Sequence, residues 1–318
     1  MTTVKRFLLF FFTFAVLKGV AQNAEQNRAI DDYVRKLGSL DTLNMGTLAA
    51  VVTKPFSDKK DKARAIFDWI AYNIIFDVKA ARSGNTQKNS TADVLKFRKA
   101  PSSGYANLFQ DLCSSVNIRC LIPDGYVKTN AEQIDETKPE INHTWAVVQL
   151  GQSPEEWFYV DPTWGSGYTD EEMKTYTPLY NDSYFFADKA IFNLQHYPDN
   201  EGWKLGPAPK TKKDFFTLPI FHSAAYEYKL KGLYPSGGIL KAKVNQAKLL
   251  SISMDSFAII SIVTLVKGDH KKQKESTVSS VFDKGTLKIS CKFAEEGTYP
   301  VTVRINGKNV VSYMVEVE

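Results

Sequence analysis

Apolar positions recur with helical spacing in five stretches of the first 120 residues. Ile30, Tyr33, Val34 and Leu37 form one stripe, closed by Gly38, and Leu48, Val51 and Val52 predict a short second helix. Ala63, Ile66, Phe67, Ile70, Ala71 and Ile74 give a third, opened by Asp58 and Asp61, thickened by Trp69 and Tyr72, and ending at Phe76-Asp77. Ser90 with Asp93 three residues on reads as a capping box for a short helix through Val94, Leu95 and Phe97. Pro101 cannot lie inside that helix, so the chain turns and restarts at Ser102. Tyr105, Leu108, Phe109, Leu112, Cys113 and Val116 then repeat at i, i+3, i+4, i+7, i+8 and i+11, which predicts a buried helix to about Val116.

From Arg119 the period shortens to two. Residues 120–128, 143–150 and 156–161 read as strands, with Gly151-Gln-Ser-Pro as a hairpin loop. A turn centred on Gln152 would set His143 directly opposite Asp161, with Cα atoms ~4.5–5.5 Å apart. The segment after Asp161, including Tyr184-Phe-Phe186 and His196-Tyr-Pro198, has little regular periodicity. Gly206-Pro-Ala-Pro-Lys-Thr-Lys-Lys213 is rich in Pro and Lys and reads as the start of a linker. Candidate strands follow at 225–231, 239–244, 249–254, 257–266, 276–282, 286–293, 301–305 and 310–317, with Asn306-Gly307 as a hairpin turn between the last two. Seven or eight short strands in about ninety-five residues predict an immunoglobulin-like sandwich. The class is therefore α+β: a domain over 22–205 with helices packed on an antiparallel sheet, a linker over 206–222, and a β domain over 223–318.

Composition adds three things. The chain is 43% hydrophobic and 24% charged, which is globular. Lys5 and Arg6 precede the apolar run Phe7–Leu17, and Gly19-Val20-Ala21 supplies small residues before Gln22. Residues 1–21 thus read as a secretory signal peptide, too short in its apolar part to span a bilayer, and the mature chain is expected to be exported to a periplasm or beyond. The formal charge of +5 divides unevenly: Lys204–Glu318 carries +8, Gln22–Trp203 carries −6, and Lys5, Arg6 and Lys18 of the expected signal supply the remaining +3, which supports two domains after the signal. Nucleic acid is not an expected partner, since no aromatic-plus-arginine motif accompanies the basic residues.

Three cysteines, Cys113, Cys120 and Cys291, are too few for a disulfide framework, and Cys113 lies on the apolar stripe. With four histidines, no Cys-x-x-Cys and no His-x-x-x-His, no metal site is expected. Phosphate-loop and dinucleotide fingerprints are absent, so no cofactor is expected either. The residues that carry candidate chemistry are Ser102 at a helix start, His143 at a strand start and Asp161 at a strand end. Each has a plain structural alternative. Ser102 or Ser103 can cap the helix, Asp161 before a proline can open a β-turn, and His143 can be a structural histidine.

Five segments resemble the transglutaminase-like superfamily in the same order: Ala65–Ile74, Arg98–Phe109, Asn142–Val147, Tyr159–Gly165 and Tyr184–Phe186. The branch related to kyphoscoliosis peptidase is the one they resemble, and the resemblance covers about Asp61 to Trp203. It implies a papain-like fold with a Cys-His-Asp triad, the cysteine opening a helix and the other two on neighbouring strands. His143 matches the base and Asp161 the orienting carboxylate. The nucleophile motif, usually Gly-Val-Cys-x-Gly-Tyr, aligns on Gly104-Tyr105, which puts Ser102 where the cysteine belongs. Gly104, Tyr105, Trp145 and Trp164 are the residues implied to line or support the substrate cleft.

Replacing sulfur by oxygen matters physically. A thiol with a pKa near ~8.5 is brought to thiolate by a helix N-terminus and an imidazolium. An alcohol lies several units higher, and a helix dipole contributes only ~0.3–1 kcal/mol, less than one unit. Cys113, eleven residues along the same helix, is about 16 Å away and cannot substitute. The expectation is a transglutaminase-like protein without catalysis, binding a peptide, peptidoglycan-type glycopeptide or protein partner through the old cleft. The alternatives are a peptidase or acyltransferase acting through Ser102, His143 and Asp161, and an envelope scaffold binding through its β-sandwich.

Overall fold

The computed structural model describes residues 24–84, 89–170, 172–268 and 272–318. The expected signal peptide, 1–21, lies outside them. Helical residues 24–37 end at Gly38, whose φ of 66° is the left-handed conformation that glycine tolerates. Helices Met45–Thr53 and Lys59–Asn73 follow, each opened by a carbonyl-bearing side chain: Asn44 accepts from the amide of Thr47, and Asp58 from that of Lys60. The second of these stops at Asn73 rather than at Phe76-Asp77, because Ile75–Phe76 is drawn off as a short parallel strand against Lys99–Ala100. Ser90 caps the helix Thr91–Phe97 as the pattern predicts. The predicted buried helix is Ser102–Ser115, and Tyr105, Leu108, Phe109, Leu112 and Cys113 on its stripe are all fully buried.

These helices share one core with the sheet they pack on, including Ile66, Phe67, Trp69, Leu108, Phe109, Trp145, Val147 and Tyr159. The predicted strand over 120–128 is broken in two by Pro123. Arg119–Leu121 pairs with Ala146–Gln149, which pairs with Trp157–Val160. Asp124–Val127 pairs instead with His143–Thr144 on one side and His196–Pro198 on the other. The hairpin register also differs from expectation. Ala146 lies opposite Val160 and Gln149 opposite Trp157, which centres the turn on Ser153 rather than Gln152. Asp161 is therefore displaced by two positions from His143. A two-residue shift preserves the face, so the side chains still converge.

The stretch 206–222, expected to be a linker, is ordered and packed. It holds the helix Lys212–Thr217, with Phe215 and Phe216 buried, and the strand Ile220–Phe221, which joins the last strand of the chain. Lys128 fastens it to the first domain, its buried ammonium donating to the carbonyls of Phe215 (2.7 Å) and Leu218 (2.6 Å).

The C-terminal region is built mostly of antiparallel strands in two sheets that contribute to one core, with Leu250, Leu287 and Ile289 from one and Val263, Val303 and Val311 from the other. One sheet contains Ile220–Phe221, Lys308–Val317, Gly297–Ile305, Val263–Lys267 and Lys274–Thr277, with Ile239–Ala242 added in parallel to Lys308–Val317. The other contains Gly232–Tyr234, Ala247–Ser253, Thr286–Lys292 and Ser279–Asp283. The predicted strand over 276–282 therefore crosses from one sheet to the other at Val278. Residues 224–227 are a short helix, not a strand. The stretch before Val263 is a loop exposing Phe257 and Ile259. Asn306 satisfies its backbone, accepting from the amides of Ser261 and Ile262 and donating to the carbonyl of Ile259, so no strand partner is required there.

Candidate functional site

Three elements meet where the first helix core joins the sheet. The helix Ser102–Ser115 is capped by Pro101, which offers no side-chain bond, so Ser102 is the first helical residue and neither it nor Ser103 acts as the cap. Helical packing explains the glycine two residues on. A Cβ on Gly104 would stand 2.6 Å from that of Ala100 and 3.1 Å from Val94 Cγ2, so only glycine lets the helix start sit against these neighbours. Gly104 and Tyr105 donate their amides to the carbonyl of Pro101. The amides of Ser102 and Ser103 have no partner among the described residues, as expected of a helix start. The half-buried Ser102 hydroxyl makes no hydrogen bond among them either, whereas Ser103 Oγ takes one from Asn89 (2.6 Å).

His143 and Asp161 are brought together. Nε2 of His143 donates to Oδ2 of Asp161 at 2.7 Å, and both side chains are buried. Asp161 caps the short helix Pro162–Ser166, where its other oxygen, Oδ1, accepts from the amides of Thr163 (2.9 Å) and Trp164 (3.0 Å). A second imidazole, that of His196, donates from Nε2 to the same Oδ2 at 3.1 Å. Burial alone would push the Asp161 carboxyl up. The positive charge that His143 can carry and the bonds from both imidazoles outweigh it and hold the carboxyl well below the usual carboxylate range. Burial pushes His196 the other way, down to about 4, despite the pull of Asp161. His196 is thus a neutral donor at pH 7. Since an ionised carboxylate only accepts, Nε2 carries the proton on both rings, and Nδ1 of His143 is the nitrogen left for other work.

The residues expected around the cleft divide by exposure. Tyr105 and Trp145 are fully buried and act from behind. Tyr105 donates to the carbonyl of Ile74 (2.6 Å) and pins the helix to the end of its neighbour. Trp145 lies against His143 and edge-on to His196, and Gly125 makes room for its ring. Trp164 is half-buried and covers both imidazoles, with ring centroids 5.5 Å from His143 and 4.5 Å from His196. No hydrogen bond joins Ser102 to His143 among the described residues, although the helix that Ser102 opens packs on the strand that carries His143.

His196 is the residue the sequence pattern missed. Its only advance signal was scarcity, as one of four histidines in the chain. The ligand-type atoms of His143, Asp161 and His196 lie within 4.8 Å of one another. Their 2.7 and 3.1 Å N···O separations are those of hydrogen bonds, and the atoms that would face a cation are already hydrogen-bonded to one another. Cys113, Cys120 and Cys291 are all buried and unpaired, so none offers a thiol at this site. Among the described residues no helix is long and apolar enough to cross a membrane.

Residues 46–162 match the model of the transglutaminase-like superfamily. Kyphoscoliosis peptidase of Mus musculus is 28% identical over 252 residues, covering 79% of this chain and 36% of that protein. The Homo sapiens protein of the same name is 26% identical over 294 residues, covering 92% of this chain and 42% of that one. The chain thus spans about two-fifths or less of the length of these relatives. The Lim and transglutaminase domain protein ltd-1 of Caenorhabditis elegans is 28% identical over 187 residues, covering 54% of this chain and 24% of its own length.

Proposed function

Given that the chain carries a transglutaminase-like domain related to kyphoscoliosis peptidase, we propose that it is an exported, non-catalytic member of that branch. It binds a peptide, glycopeptide or protein through the vestigial cleft. In this reading the two C-terminal sheets are an immunoglobulin-like sandwich that supports the binding domain. The observation that carries the reading is the state of Ser102: it opens the helix where the nucleophile belongs, yet among the described residues its hydroxyl is bonded to no base, and His143 is bonded to Asp161 instead. Without that bond nothing removes the proton of an alcohol whose pKa lies far above that of a thiol. The base and its carboxylate remain assembled, so the site has lost its nucleophile and kept its frame.

That same retained pair supports a second reading, in which Ser102 is a working nucleophile for a peptidase or amide-transferring acyltransferase, its bond to His143 forming when substrate arrives. One comparison separates the two: the parent chain, Ser102→Cys and Ser102→Ala, assayed for peptide hydrolysis and amine transfer. The non-catalytic reading expects an inactive parent and activity gained in Ser102→Cys. Activity in the parent that disappears in Ser102→Ala would establish the second reading instead.

A further inference from the structure

His196 has no part in either reading so far, yet it is built into the site more tightly than Ser102. We infer that His196 is a positioning residue that fixes the ring of His143 through Asp161. This rests on the reading of His143 as the retained base. Asp161 has two oxygens, and the geometry fills both. Oδ1 takes two backbone amides, and Oδ2 takes one proton from each imidazole, at 2.7 Å and 3.1 Å. With the second imidazole in place, the carboxylate cannot turn away from His143 without leaving the His196 donor unpaired in a dry interior. His143 is left with a single way of approaching Oδ2, through a protonated Nε2, which keeps Nδ1 turned away from the carboxylate.

His196 can enforce this because it is itself immobile. Its ring stacks on Phe192 with centroids 3.9 Å apart and planes 7° apart, and Trp164 and Trp145 close the other sides. Its backbone begins the strand His196–Pro198, paired with Val127, and its amide donates to the carbonyl of Phe192. Nδ1 of His196 is buried without a partner. Only the tautomer protonated on Nε2 puts a donor against Asp161, so the unpaired atom is the bare acceptor nitrogen. Leaving one acceptor unmet is the cost of aiming the proton at the carboxylate.

The test uses the full chain and two substitutions. In His196→Phe the stacking is kept and the donor removed; in His196→Gln a donor amide is restored. Nitrogen-15 NMR of the side chains reads the His143 tautomer directly. The expected result is a single Nε2-protonated form in the parent and in His196→Gln, and a mixture of tautomers in His196→Phe. Placed on Ser102→Cys, the same substitutions should change the ratio of iodoacetamide alkylation at pH 6 to that at pH 9. His196→Phe should lower it at least tenfold, and His196→Gln should leave it within threefold. A merely structural histidine would lower the melting temperature in both variants and move neither readout, which would overturn the inference. If His196→Phe does not fold, the parent spectrum still decides, because His196 protonated on Nδ1 rather than Nε2 excludes the role. A Ser102→Cys chain with an ordinary thiol would sink the reading of the site as disarmed. The tautomer measurement, made with Ser102 in place, would still judge His196.

Discussion

Two serine–histidine neighbourhoods among the described residues are built in opposite ways. In the C-terminal sheets, Nε2 of His222 lies 2.7 Å from Ser312 Oγ, and that hydroxyl lies 2.6 Å from Thr302 Oγ1 on the facing strand. The serine–histidine bond is present there, but among the described residues no carboxylate is bonded to the imidazole, and the helix start nearby, Ala224–Glu227, follows the histidine rather than carrying the serine. In the first domain the carboxylate and the helix start are present, and the bond between Ser102 and His143 is missing. A short serine–histidine contact is therefore no mark of chemistry by itself. What distinguishes the first domain is the investment in a buried anion: four donors converge on Asp161, against three neutral groups in a row at His222.

The comparison is broken most forcefully at its charged member. Asp161→Asn turns an acceptor oxygen into a donor facing two imidazole N–H groups, and should cost about 3 kcal/mol in denaturant unfolding at pH 7, the scale for breaking a buried ion pair. A loss below 1 kcal/mol would mean that the anion is not the organising group. Gly125→Ala attacks the wall behind the site, where a Cβ would meet the Tyr197 carbonyl at 2.2 Å and Trp145 Cη2 at 2.7 Å. Because the nearer obstacle is backbone, about 2 kcal/mol of destabilisation is expected, read as a fall in melting temperature.

Acid should act on both regions, with signs that follow from the histidines. His196 and His222 are each pushed down to about 4 by burial, His222 also by the charge of Arg304. Between pH 6.5 and 4 the unfolded chain takes up protons that the folded chain refuses, so stability falls as the pH falls through that window and these two groups add nothing further below it. Asp161, held low in the folded chain, contributes stability above its unfolded value that is lost as the pH drops below about 3.8. His222→Gln should remove one proton's share of the slope between pH 6.5 and 4 and leave the lower limb unchanged. An unaltered slope in a melting series would show that His222 is not buried neutral. The smallest effect belongs to Ser312→Ala, about 1–2 kcal/mol for its two neutral hydrogen bonds, to His222 and Thr302. A cost equal to that of Asp161→Asn would erase the distinction between the two neighbourhoods.

Periodicity was enough to find most of the frame. The helix Ser102–Ser115 was legible because its stripe is regular and Pro101 marks its start. His143 and Asp161 were legible because parity along a hairpin survives an error of two residues in register. The error arose in the loop, where Leu150 pairs with Glu156 and the turn is centred on Ser153, one residue beyond the expected Gln152. His196 was beyond reach: it enters the site only because its strand pairs with Asp124–Val127, a contact between segments some seventy residues apart that no local pattern announces. The region around Phe257 and Ile259 failed for another reason. Its apolar composition mimics a strand, while one distant side chain, Asn306, supplies the hydrogen bonds a strand partner would have given. The stretch 206–222 read as a linker because its prolines and lysines masked Phe215 and Phe216, which anchor it.

We propose that the first domain keeps a thiol-enzyme frame without the thiol. Its most direct test is the pH dependence of alkylation of the thiol introduced by Ser102→Cys, followed by mass spectrometry against the buried Cys113, Cys120 and Cys291. An intact frame predicts rapid alkylation persisting to pH 6, because the helix start and His143 hold a thiolate there. A rate that rises only through about pH 8.5, as for an ordinary exposed thiol, would contradict the account.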